Sequence, residues 1–156
     1  MEHYLNDIQK HIKQHMGDVF SLIDEDCGQL ESLQDGQDQY PVTFPCVLIG
    51  TPDVTWRTLK PFNLQQGTAM VTVRIAIDCY DDTHLGSTQE DKIQKRMELA
   101  SRLNGWLHGW VFEGCSRPLL RNRSRQYSLP GGIKVYETVY TTETEEDIQK
   151  PAEPVL

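Results

Sequence analysis

The chain has few cysteines, and no two of them share a CxxC spacing. Cys27, Cys46, Cys79 and Cys115 stand far apart. That excludes a zinc ribbon or a thioredoxin-like redox motif, and Cys46 and Cys79 lie in apolar, strand-like surroundings where a free thiol behaves as a small hydrophobe. No apolar run reaches the roughly 18 residues of a membrane span, and no basic stretch followed by an apolar one opens the sequence. The expectation is a cytoplasmic protein, off the membrane, with reduced thiols. Phosphate-cradling GxxxxGKS/T, dinucleotide-binding GxGxxG and the nucleophile elbow GxSxG are absent. An excess of positive charge is lacking too. The formal net charge of -8 weighs against nucleic acid or an anionic membrane as the main partner.

What is present suits one domain: 156 residues, 38% hydrophobic and 24% charged. The clearest signal is the stretch from Gln65 to Tyr80. Val71, Val73, Ile75, Ile77 and Cys79 alternate with Thr72, Arg74, Ala76, Asp78 and Tyr80, which predicts a long antiparallel strand with one buried and one wetter face. Upstream, Leu5, Ile8, Ile12 and Met16 recur at helical spacing and Gly17 suits the cap, so an amphipathic helix is expected there. Val19 to Ile23 reads as a short strand. Residues 24–39 are acidic, without a base, and read as an irregular connection with at most a turn near Gln29 to Leu33. Cys46 to Ile49 and the segment through Val54, Trp56 and Thr58 read as short strands.

Ser87 and Glu90 form a capping box for a second helix. Its stripe runs through Ile93, Met97, Ala100, Leu103, Leu107 and Trp110, a core face in pattern. The last third reads as a hairpin. An arm from Leu119 to Tyr127 turns at Leu129-Pro130-Gly131-Gly132, and Ile133 to Thr142 returns. Beyond Glu143 a frayed acidic tail is expected.

Candidate chemistry is sparse. His11 and His15 have the spacing of a two-histidine metal clamp, but no Glu sits between them as in HExxH, and the third nearby histidine, His3, is two turns back. Asp24-Glu25-Asp26 lacks the spacing and closing Glu of a calcium loop. The arginine arm stands out: Arg117, Arg121, Arg123 and Arg125 fall within nine residues, with Asn122, Ser124 and Gln126 between the last three. Neither face of that stretch is apolar, so it is expected to project from the body. Three readings stay open. The arginines pair across the hairpin, Arg123 with Glu137 and Arg117 with Glu143; or they meet the acidic 24–38 loop or the 143–147 run of a neighbouring copy; or they contact DNA phosphates.

The wording Tyr40-Pro41-Val42-Thr43-Phe44-Pro45-Cys46-Val47-Leu48-Ile49, then Gln65-Gln66-Gly67-Thr68-Ala69 leading into Val71 to Ile77, then Ile133-Lys134-Val135-Tyr136 with Tyr140-Thr141-Thr142, resembles a family of small prophage proteins from Bacteroides-type bacteria. More distantly, the order of elements resembles tail-terminator and tail-completion proteins of long-tailed phages. The resemblance spans roughly residues 1 to 145. It implies an α+β fold, an antiparallel sheet with two helices packed on one face, in a protomer that assembles into rings at the neck or tail end. It brings no catalytic residues, cofactor or metal.

These readings converge on a non-enzymatic phage structural protein with a single domain over residues 1–145 and a tail over 146–156. It is expected to act in the host cytoplasm as a ring-forming homo-oligomer that also meets other tail or neck proteins, with no cofactor, metal or small-molecule substrate. Arg117, Arg121, Arg123 and Arg125 are the expected subunit contacts. The alternative is a small binding module with a pocket between sheet and helix, lined by Trp106, Trp110 and Tyr136.

Overall fold

In a computed structural model of the chain, residues 4–35, 41–79 and 90–150 are described. The capping-box residue Ser87, the turn at Asp81-Asp82 with His84, and Asp38 fall outside them. Helix α1 (Tyr4–Met16) forms where the apolar spacing places it, and buries Tyr4, Ile8, Ile12 and Met16 along one side. Among the described residues, six strands form one sheet: β1 (Leu22–Glu25), β2 (Cys46–Ile49), β3 (Asp53–Thr58), β4 (Leu64–Asp78), β5 (Leu120–Leu129) and β6 (Ile133–Asp147). Helices α2 (Gln29–Gln34) and α3 (Glu90–Leu107) complete the fold. It is an α+β architecture on a mostly antiparallel, open sheet.

The sheet order is β1-β2-β4-β6-β5, with β3 also on β4. β4 is the spine: β3 pairs its first half, β2 its second, and β6 runs beside it throughout. Only β1 and β2 are parallel. The acidic stretch beyond Glu143 is not frayed, because Thr144 to Asp147 pair with Gly67 to Leu64. Gly67 has a steric reason: a β-carbon there would come within 2.7 Å of Val54 and 2.8 Å of the Trp56 ring, which lie across it from β3.

One face of the sheet carries Val47, Ile49, Val71, Val73, Ile75, Tyr136 and Tyr140 against α1 and against Leu103 and Leu107 of α3. This is the expected packing of two helices on one face. The other face departs from expectation. Leu30 of α2 sits on Cys46, Leu48, Ala76, Ile133 and Val135, a second buried cluster. The wetter face of β4 is therefore covered over its second half, and the 24–35 segment contains a strand end and a true helix rather than an irregular connection. The apolar stripe of α3 is also shorter than its spacing implies: Leu103 and Leu107 are buried, whereas Met97 is exposed.

Candidate assembly surface

β5 closes one side of the sheet, pairing with β6 and, among the described residues, with no further strand. It therefore does not project from the body; it is the sheet's edge. Its sequence explains why it can be nothing else. Arg121 through Gln126 are all exposed, so no face of that run can be covered. The turn behind it takes Gly131 and Gly132 at φ of 88° and 75°, a left-handed conformation that glycine adopts without strain.

The pairing across this hairpin differs from the expected one by two residues over most of its length. Arg117 does reach Glu143, Nε to Oε2 2.9 Å. Arg123, however, lies opposite Val139, and it is Arg125 that pairs with Glu137. The cause is the turn, which is centred on Gly131, with Leu129 opposite Ile133, rather than near Pro130; farther along, a bulge between Arg121 and Arg123 adds a residue on β5. The bulge also splits the arginines between faces. Arg121 is opposite Tyr140, which points into the α1/α3 side; Arg123 and Arg125 are opposite Val139 and Glu137, on the side that carries α2. Shallow depressions flank the strand, one of about 320 Å³ along Arg123, Arg125, Glu137 and Val139, another of about 190 Å³ beside Ser101, Asn104 and Arg121.

Two carboxylates of the acidic segment, Asp26 and Glu31, are occupied within their own chain. Arg74, expected on a wet face, is buried. Its Nε and Nη2 donate to the two carboxylate oxygens of Asp26 at 2.7 and 2.8 Å, and Nη1 and Nη2 donate to Glu31 at 2.7 and 3.2 Å. Nη1 also reaches the Tyr127 hydroxyl at 3.3 Å. Hydrogen bonding to Arg74 holds the Glu31 carboxyl below its ordinary pKa, and the paired carboxylates hold the guanidinium firmly charged. Only alternation in the sequence marked Arg74, and alternation says nothing of a cover supplied from a distant, polar segment.

These pairings leave charges on the two outer strands of the sheet without a partner. Arg121 and Arg123 on β5, and Asp24 and Glu25 on β1, have no oppositely charged side chain within ion-pair distance among the described residues. The open part of the sheet face beyond α2 adds exposed apolar groups, Met70 and Leu120, and the tip between β3 and β4 exposes Phe62 at 80%.

The histidines of α1 do not present a metal clamp. The His11 ring stacks on Trp110 at 3.9 Å, and His15 stacks on Trp106 at 3.7 Å. Nε2 of His11 lies 2.8 Å from the Trp106 carbonyl, to which it donates. The four rings bind α1 to the end of α3, and burial lowers the His11 pKa. Among the described residues, Trp106, Trp110 and Tyr136 do not together line the expected pocket between sheet and helix. The cavity beneath α3 at Tyr136 has about 20 Å³, space for one water, and neither tryptophan lines it. Cys46 is buried and its thiol is pushed up to about 11, which keeps it protonated and inert.

No protein-family model matches the chain, and no curated protein does. Among solved structures, it is similar to a chain in the virion of a native gene transfer agent particle. That likeness has a TM-score of 0.62 at 11% identity and covers 91% of this chain and 94% of the other. At such identity the similarity is one of fold.

Proposed function

We propose that this chain is a non-enzymatic structural component of a phage-type particle, a tail-terminator, tail-completion or head–tail connection protein, working as a ring-forming homo-oligomer in contact with other tail or neck proteins. The observation that carries this reading is the edge strand β5, whose Arg121 and Arg123 remain exposed and unpaired beside Arg117 and Arg125, which are already satisfied in cis. An open strand edge is a template for pairing with another chain, and natural proteins usually blunt it. The fold likeness to a virion component, extending over nearly the whole of both chains, supports the same reading. Assembly would take place in the cytoplasm of the host cell.

The test is to induce particle release from cells carrying the gene, purify the particles through a density gradient and identify their proteins by mass spectrometry. The reading expects peptides of this chain at a constant ratio to the major tail protein. Particles that form and infect normally when the gene is deleted would refute it.

A further inference from the structure

The two strands at opposite ends of the sheet carry opposite leftover charge, and their directions match. β1 runs parallel to β2, β2 antiparallel to β4, β4 antiparallel to β6, and β6 antiparallel to β5. β5 therefore runs opposite to β1. Copies related by rotation about a ring axis, each set beside the next with its sheet in line, would bring β5 of one copy against β1 of the following copy as an antiparallel pair.

From this geometry we infer that subunits join head to tail by sheet extension, β5 of one copy pairing with β1 of the next, with Asp24 meeting Arg123 and Glu25 meeting Arg121. The inference rests on the oligomeric reading above and specifies its interface. The faces agree as well as the charges. Asp24 is in register with Leu48, on the α2 side, as Arg123 is through Val139. Glu25 is in register with Ile49, on the α1/α3 side, as Arg121 is through Tyr140. With the bulge absorbing Asn122, an antiparallel register that sets Asp24 opposite Arg123 sets Glu25 opposite Arg121.

The ends of the two free edges also coincide in that register. Ahead of Asn122, β5 is closed by the segment after α3: Gly109 N–H donates to the Leu119 carbonyl at 2.7 Å, Leu119 N–H to the Trp110 carbonyl at 2.8 Å, and Arg121 N–H to Nδ1 of His108 at 3.0 Å. Past Asp24, β1 is closed by Gln29, whose Nε2 donates to the Glu25 carbonyl at 2.7 Å. Backbone pairing is thus confined to Leu22–Asp24 against Arg123–Arg125, and the Glu25–Arg121 contact is made by side chains alone. A contact between different surfaces of identical subunits closes into a ring or extends into a filament.

The test uses charge reversal on each edge. Arg121→Glu with Arg123→Glu gives a protein with two acidic edges; Asp24→Lys with Glu25→Lys gives one with two basic edges. Each alone should lose self-association by about 100-fold or more, because like charges are brought together. Mixing the two, or combining all four changes in one chain, should restore it. Circular dichroism and thermal melting establish that each variant is folded, and the four-fold variant keeps the test decisive if one double variant is unstable. Wild-type assembly that survives both double variants would overturn this interface while leaving the oligomeric reading intact. A wild-type protein that never assembles would overturn both.

Discussion

Arg74 holds both carboxylate oxygens of Asp26, at 2.7 and 2.8 Å, from a position where its side chain is only 9% exposed. The same guanidinium binds Glu31, so one residue of the central strand fastens both the loop after β1 and helix α2 to the back of the sheet. Arg74→Ala should destabilise the protein by about 3 kcal/mol, the low end for breaking a buried pair, because Glu31 keeps some solvent. Arg74→Lys should recover little, since an ammonium cannot make two paired contacts in one plane. Urea unfolding midpoints for the three proteins check this.

Acidification should weaken the fold in two steps. His11 has its folded pKa lowered by burial, so its contribution is complete above its ordinary value of 6.5 and is lost as the pH falls through the lowered value. Glu31 behaves in the same sense: its stabilisation is present above its ordinary 4.5 and disappears as the pH drops through the depressed folded value. Melting temperature measured from about pH 8 to about pH 2.5, in steps of about half a unit, should fall below pH 6.5 and again below pH 4.5. Glu31→Gln should remove the second step selectively.

The four stacked rings make a second, separate clamp. His11→Ala removes a stacking partner of Trp110 and a donor to the Trp106 carbonyl, and should cost about 1–2 kcal/mol. Tryptophan emission should change with it, since both indoles lose their ordered setting when α1 loosens from α3.

Core substitutions serve as the control for assembly. Ile75 and Leu103 are each 3% exposed in the cluster under α1 and α3. Ile75→Ala or Leu103→Ala should cost about 2–5 kcal/mol by leaving cavities. Assembly of the folded fraction should be unchanged, because neither side chain reaches the sheet edge.

Period and punctuation were enough to read most of the framework. Val71 to Ile77 alternate because one face of β4 is buried along its length, and Ile8, Ile12 and Met16 repeat because one side of α1 is. Helix α2 was not legible: six residues with a single buried leucine leave almost no periodic signal, and its attachment comes from Arg74, far along the chain. The arginines of β5 were legible as a cluster but not as a pattern of use. The centring of the turn on Gly131 decides which of them meets Glu137, a bulge of one residue decides which face each takes, and no residue announces the bulge.

The exposed pair Arg121 and Arg123 isolates the proposed working surface, the outer edge of the sheet. Sedimentation velocity over a rising concentration series, for the wild type and for Arg121→Ser with Arg123→Ser, tests it most directly. The wild type should give a discrete species several times the 17.9 kDa chain mass, and the double variant a monomer with an unchanged melting temperature. A wild-type protein that sediments as a monomer throughout, or a double variant that assembles equally well, would contradict it.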